Sequence, residues 1–416
     1  MGKTFVEKVF SKKAGKEVKA GTIVSVEPDY VMSHDNAAAI SGTFRKIGVN
    51  RIKYPERVVI ILDHEVPAPK ESSAINHKEI RAFVKEQNIE NFFDINHGIC
   101  HQIFTEQGFA MPGKLIVGSD SHTTTYGALG ALSAGIGRSE VAAIWATGEL
   151  WFSVPETLKI VINGIIPKYI TPKDIALYII GKIGSDGADY KAVEFAGDTI
   201  SRMTVPERMV LSNMAAEMGA KCGYTPPDHN TFDFIRGKAR SEYESLYSDN
   251  DAVYCDVIEF NADDVSPSVA KPHTVDNLAS IKEVEGTKID QALIGTCTNG
   301  RLEDLEAAAK VLKGNKVKVR TLIIPASRNI YKDAIKNGTI EILVEAGAII
   351  LNPGCGPCLG AHQGVMAPGE VTFSTANRNF KGRMGCREAE IYLGSPISVA
   401  AAAITGEITD PGRLLS

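Results

Sequence analysis

Three cysteines sit where this 416-residue sequence could do chemistry: Cys297 in LIGTCTNG, and Cys355 with Cys358 in NPGCGPCLG. Each follows a short apolar run of strand character, Ile289 to Ile294 and Ala348 to Leu351, and lies in a glycine-rich turn. In an open α/β sheet, ligands gather beyond the carboxyl ends of strands, so such a fold can bring the three sulfurs together. A CxxC pair with a remote third thiolate suits a thiolate-bound metal centre. Four thiolates would complete an ordinary iron–sulfur cluster; three leave one iron free to take a water or a substrate oxygen and act as a Lewis acid. Two other readings of the same residues stay open. CGPC is also the dithiol string of thioredoxin-like redox proteins. His362, shortly after Cys358, would complete a zinc site of three thiolates and one imidazole.

Histidines next to carboxylates form a second set. His64 adjoins Asp63, His122 follows Asp120 and Ser121, and His101 precedes Gln102 in GICHQ. A neighbouring carboxylate raises imidazole basicity and fixes its tautomer, which a proton donor to a leaving hydroxyl requires. His34, beside Asp35 in MSHDN, reads equally as structural or functional, and His77, His97, His229 and His273 read as surface or structural. In TVPERMVLSNMAAEMGAKCG, Thr204 and Glu207 predict a capping-box helix start and Gly219 its stop. Asn213 and Glu217, four apart, then share a face that can point into a site. In NRNFKGR, Arg378 and Arg383 flank a glycine at a loop-like spacing able to clamp the carboxylates of a diacid, although a solvated basic loop reads the same way.

What must position these groups is a repeated device: an apolar β-branched run, then a turn carrying reactive residues. Val58 to Leu62 leads to Asp63-His64, Leu115 to Val117 leads to Asp120 and His122, and Val371 to Ser374 leads to Asn377, Arg378 and Arg383. Alternation of such runs with helical patterns such as RLEDLEAAAKVLKG predicts buried parallel strands in βαβ units. The stretch from about Thr225 to Thr287, poorer in apolar runs, predicts peripheral structure and a boundary. Length implies several domains, and composition is ordinary for a globular chain, 44% hydrophobic and 23% charged. A formal charge of -5, spread over both halves, gives no nucleic-acid footprint. No apolar run approaches a membrane span, and the N-terminal segment has no apolar core for export, so the chain is expected to be cytoplasmic. Seven cysteines in a chain this long do not make a disulfide scaffold. The run GALGALSAGIGRSE matches a dinucleotide loop only superficially.

Taken in order, the strings LDHEVPA, GICHQ, GSDSHT, LSNMAAEMG, IGTCTNGRLEDL, PGCGPCLGAHQG, NRNFKGR and EIYLGSP resemble the aconitase superfamily. They are most similar to the large subunits of the 3-isopropylmalate dehydratase and archaeal homoaconitase type. The resemblance implies an α/β fold of three α/β/α domains around a cluster site, here 1–156, 157–287 and 288–416, lacking a fourth, swivelling domain. It implies a 4Fe-4S cluster held by Cys297, Cys355 and Cys358, with one iron not ligated by protein. By the same resemblance Asp63 and His64 assist departure of a hydroxyl, and His101 with Asp120, and His122 with Glu217, hold and polarise the iron-bound water. Asn213 and Asn377 support the cluster, and Ser121, Arg378 and Arg383 bind substrate. The implied partner is a small subunit carrying the swivelling domain and the base, and the implied substrate a small malate-type hydroxy diacid. Tyr126, where His is typical of such large subunits, and the string His34 to Ala39 depart from the pattern and leave room for a 2,3-dimethylmalate dehydratase. An expectation of another class is a cluster-free binding protein.

Overall fold

The computed structural model describes residues 2–415. Three larger sheets carry the chain, beside a two-stranded antiparallel pair of Ile23–Val26 with Leu150–Ser153. The first orders its strands Asn91–Phe93, Val58–Ile61, Tyr30–Ser33, Leu115–Gly118 and Leu132–Gly135, all parallel. Val58–Ile61 and Leu115–Gly118 are buried at every position, as expected of parallel strands covered on both faces. Strand order reverses between Tyr30–Ser33 and Leu115–Gly118, and the crevice of such a switch lies beyond the strands' carboxyl ends. A second sheet joins Cys222–Tyr224, Ala192–Ala196, Thr157–Asn163 and Asp256–Asn261, again in parallel.

The third sheet runs Leu278–Ser280, Ser268–Ala270, Glu390–Leu393, Val371–Ser374, Gln291–Ile294, Arg320–Ile323 and Ile349–Ile350. Its last five strands are parallel, and the first two are antiparallel additions at one edge. The stretch from Thr225 to Thr287, expected to be peripheral, therefore builds an edge strand of the second sheet and two strands of the third. Its apolar runs are short because edge strands face solvent on one side: Asp256–Asn261 has no buried residue.

Local chemistry explains the helices that matter to the site. Thr204 caps Val205–Met214, its Oγ1 accepting from Glu207 N while Glu207 Oε2 accepts from Thr204 N at 2.8 Å. The helix tightens into a 3-10 turn, Ala215–Met218, and ends at Gly219 with φ +80°. Both Asn213 and Glu217 still face inward, the first from the helix and the second from the turn. Pro172–Ile183 begins at Thr171 with a similar box, its Asp174 carboxylate also accepting from Ser268 N of the third sheet at 3.1 Å. That helix is thus wedged between the second and third sheets. Further links hold the first sheet to the third: Ile99 N to Ala326 O at 2.8 Å, Arg328 N to His97 O at 2.9 Å, and Cys355 N to Asp63 O at 2.9 Å. No helix among the described residues is long and apolar enough to cross a membrane.

Candidate active site

The reactive residues collect at the carboxyl ends of parallel strands, where the three sheets meet. Asp63 and His64 follow Val58–Ile61; His34 and Asp35 follow Tyr30–Ser33; Asp120 caps the turn after Leu115–Gly118. Cys297 lies in the one-turn helix Thr296–Asn299 after Gln291–Ile294, and Cys355 and Cys358 in the turn after Ile349–Ile350. Gly295 makes the Cys297 turn possible: at φ +144°, a side-chain Cβ would stand 2.5 Å from the Ile324 carbonyl. Buried Arg301 fixes the same turn, donating to the carbonyls of Thr298 at 2.7 Å and Cys297 at 2.9 Å.

Around the thiols the donors point at sulfur. Asn213 Nδ2 and Asn377 Nδ2 each donate to Cys297 Sγ at 3.3 Å, Asn377 Oδ1 lies 3.7 Å from Cys358 Sγ, and Arg383 Nη2 donates to Cys358 Sγ at 3.5 Å. Cys355 Sγ stands 3.9 Å from Asp63 Oδ2. Burial pushes the Cys297 thiol up to about 12, with the neighbouring Cys358 and Asp120 adding to it; burial also raises Cys355 strongly. Thiols so placed ionise when a cation binds them, because a coordinating thiol loses its proton outright. The three sulfurs are not mutually within 4.8 Å: among the described residues, the sets of three or more candidate ligand atoms that close are His34, Asp35, Asp63 and His64, and His101, Asp120 and His122. One zinc ion, with bonds of about 2.3 Å, would hold thiolates closer than that. His362 spends Nε2 on the Pro67 carbonyl at 2.8 Å. Cys297, with its two amide donors beside the CxxC turn, takes part in the site, which a bare dithiol would not require.

Carboxylates and imidazoles form one continuous array beside the sulfurs. Asp63 Oδ1 is 2.6 Å from His64 Nδ1, and Asp63 Oδ2 accepts from Cys100 N at 2.7 Å. His64 Nε2 lies 3.6 Å from Asp120 Oδ2; His101 Nε2 lies 3.0 Å and His122 Nδ1 3.3 Å from Asp120 Oδ1. His122 Nε2 reaches Glu217 Oε1 at 2.7 Å, and Arg378 Nε donates to both Glu217 oxygens at 2.9 and 3.0 Å. Burial favours a neutral Asp120, but hydrogen bonds from His101, His122 and His64 outweigh it and hold the carboxyl well below its ordinary range. Glu217 is likewise lowered, with His122 and Arg378 overcoming its burial. Burial opposes a charged His64, yet Asp63, Cys355 and Asp120 together raise it well above 6.5. His34, stacked on His64 at 3.8 Å, is pushed by burial and by the His64 charge down to about 4. The two stacked rings are thus driven in opposite directions, His64 toward its charged form and His34 toward its neutral one.

The structure thus brings together Asp63, His64, His101, Asp120, His122, Asn213, Glu217, Cys297, Cys355, Cys358, Asn377, Arg378 and Arg383. Ser121 stands apart: it is exposed and lines a separate opening with Gly135, Glu140 and Lys221. Two positioning roles were not read from the sequence, those of Asp35 and Lys173. Asp35 accepts from the backbone N–H groups of Asp63 at 2.9 Å, His64 at 2.8 Å and Glu65 at 3.2 Å, and pairs with buried His77 at 2.8 Å. Lys173, wholly buried, donates to the carbonyls of Thr375 at 3.2 Å and Ala376 at 2.7 Å and so pins the segment ahead of Asn377 and Arg378. Only the carboxylate beside His34 gave a signal in the sequence.

Three thiols at strand ends, Cys297 and Cys358 buried and Cys355 partly so, beside an array of imidazoles, carboxylates and cationic side chains, match the site of an iron–sulfur hydro-lyase, a dehydratase. A model of the aconitase family (aconitate hydratase) matches residues 7–406, and the chain belongs to that family. It is 56% identical over 387 residues to the probable methanogen homoaconitase large subunit of Methanosarcina mazei, covering 93% of this chain and 99% of that one. It is 50% identical over 418 residues to the probable 3-isopropylmalate dehydratase large subunit of Methanothermobacter thermautotrophicus, covering 100% of both. In fold it is similar to the crystal structure of holo-form aconitase X from Thermococcus kodakaraensis, with a TM-score of 0.51 and 12% identity over 90% of this chain and 89% of that chain.

Proposed function

We propose that this chain is the large catalytic subunit of a cytoplasmic 4Fe-4S hydro-lyase that reversibly dehydrates a malate-type 2-hydroxy diacid of the 3-isopropylmalate or 2,3-dimethylmalate class. The observation that carries this reading is the juxtaposition of three strand-end thiols, two of their contacts amide donors, with the Asp63–His64–Asp120 array. Cys297, Cys355 and Cys358 would hold the cluster and leave one iron without a protein ligand. When bound, the cluster supplies a Lewis acid that makes hydroxide a tolerable leaving group.

The chain's own residues do the rest. Arg378 and Arg383 lie on one turn and bind the carboxylates of the diacid. Protonated His64 gives its proton to the departing hydroxyl, so that water leaves, while Asp63 holds the ring and Asp120 faces its other nitrogen. The electron pair of the broken C–H bond becomes the new double bond. The base that takes that proton would come from the small subunit that the relatives' description as large subunits implies. Name and identity of the Methanosarcina relative favour a second reading, a homoaconitase-type substrate with a longer chain.

Anaerobic reconstitution with iron and sulfide, followed by absorption and EPR spectra, is expected to yield a 4Fe-4S signature that perturbs on addition of substrate. A colourless protein carrying tightly bound zinc overturns the reading. Assay of the reconstituted two-subunit complex against 3-isopropylmalate, 2,3-dimethylmalate, homocitrate-type acids and citrate separates the two substrate classes.

A further inference from the structure

We infer that Tyr126 is a positioning residue that fixes the tautomer of His101, so that His101 offers Asp120 a hydrogen bond from Nε2–H and withholds Nδ1 from the site. Tyr126 is wholly buried, and its hydroxyl lies 3.2 Å from His101 Nδ1. Its ring stacks on Phe104 at 4.4 Å and 17°, which sets the phenol against the imidazole rather than into solvent. On the other side His101 Nε2 faces Asp120 Oδ1 at 3.0 Å.

The donors and acceptors can be satisfied in one way. If Nδ1 carried the proton and the phenol accepted it, the phenol's own hydrogen would point into a dry interior, and the bare Nε2 would face a carboxylate oxygen. If both nitrogens were protonated, the phenol hydrogen would again be stranded. A buried donor left without a partner forfeits its hydration with nothing in exchange. With the phenol donating to Nδ1 and Nε2–H donating to Asp120, every group is paired. Burial together with the neighbouring Cys100, Asp120 and Asp63 raises the phenol well above its ordinary range, so it remains a donor. Asp120 therefore receives from His101 a hydrogen bond without a transferable proton, and the proton of the array is kept on the His64 side.

The test uses the full chain labelled with 15N-histidine, its long-range 1H–15N spectrum assigned for His101 by comparison with His101→Gln. The expected pattern at neutral pH is Nε2–H with an acceptor Nδ1. Tyr126→Phe, which keeps the ring and its stack on Phe104, is expected to abolish that single pattern. In the reconstituted complex it should lower kcat about tenfold, with KM unchanged, the effect of losing one interaction of about 1.4 kcal/mol in the transition state. An Nδ1–H or doubly protonated His101 in the wild-type chain, or a Tyr126→Phe variant with the wild-type spectrum and kcat, overturns the inference. The kcat measurement rests on the dehydratase reading and the spectrum does not. A correct tautomer in a complex that dehydrates none of the diacids would sink that reading and leave the tautomer lock standing.

Discussion

Replacing Asp63 with asparagine tests the acid half of the site most sharply, because the side chain is wholly buried and both its oxygens accept. Oδ1 faces His64 Nδ1 at 2.6 Å and Oδ2 takes the Cys100 N–H at 2.7 Å. An amide keeps one acceptor and gains a donor, so whichever way it turns, an NH2 meets either the Cys100 N–H or His64 Nδ1. A buried donor left unpaired costs about 1–3 kcal/mol, and a hydrogen bond to a charged group is worth about 1.5–3; the variant should lose about 2–4 kcal/mol of stability. Burial opposes the charge on His64, and Asp63 leads the groups that raise it above 6.5. The stability this group contributes is fully present below 6.5 and is lost as pH rises through the elevated folded value. Activity that needs the protonated ring declines in the same direction. In Asp63→Asn that decline moves to lower pH, and kcat falls about 10²- to 10⁴-fold, the usual worth of a general acid. Thermal melts and a pH–rate profile of the two-subunit complex, repeated with His64→Gln and the double variant, provide the check. Two residues acting as a unit give losses in kcat far short of additive; full additivity, or a wild-type profile in Asp63→Asn, refutes the argument.

Cys297→Ser is expected to lower bound iron after reconstitution, measured by metal analysis, whereas a dithiol at Cys355 and Cys358 would be indifferent to it. Asn213→Ala removes one of two N–H donors to Cys297 Sγ and should shift the cluster's midpoint potential negative in a redox titration, since such hydrogen bonds favour the reduced, more negative state. Burial lowers Lys173 from 10.5 to about 8. Between those values the unfolded chain holds a proton that the folded chain has released, so stability rises with pH across that window. Chemical denaturation at several pH values should show Lys173→Met to be less stable than wild type and without that rise.

Much of this site was legible because parallel strands advertise themselves. A short, fully apolar run such as Val58 to Ile61 or Leu115 to Val117 has one plausible covering, and the residues after it fall at one sheet edge. Cys297, the CxxC pair, Asp63-His64 and Asn377-Arg378 were therefore locatable before any coordinates. Lys173 was not, because a lysine in the capped first turn of a helix looks like an ordinary solvated charge. Its burial is decided by the third sheet, whose carbonyls it meets 200 residues further along. Asp35 was half visible: the carboxylate beside His34 was apparent, its three backbone donors from Asp63 to Glu65 were not, since nothing local specifies a cross-loop anion nest. Ser121 lies in the same reactive string as Asp120 and His122 but is exposed where His122 is buried, because neighbours in a tight turn need not face the same way. Between Thr225 and Thr287, edge strands lack the apolar density by which central strands are found.

The same contacts explain why the reactive groups lie between sheets rather than within one. Thiols placed like those of Cys297 and Cys355 resist ionising, so the turns that bear them must be held in place before any metal arrives. That holding comes from outside their own sheet: Asn213 from the second sheet's helix donates to Cys297, Asp63 of the first sheet accepts the Cys355 N–H through its carbonyl, and Lys173 fixes the turn leading to Asn377. A shift of one sheet against another would therefore misplace a thiol, an amide donor and the Asp63–His64 pair together. The array and the thiols act as one site because the carboxyl group that anchors the imidazolium belongs to the residue whose backbone anchors a thiol. Asp63 thus touches both the imidazole of His64 and the turn that bears Cys355, and packing among the sheets sets both contacts.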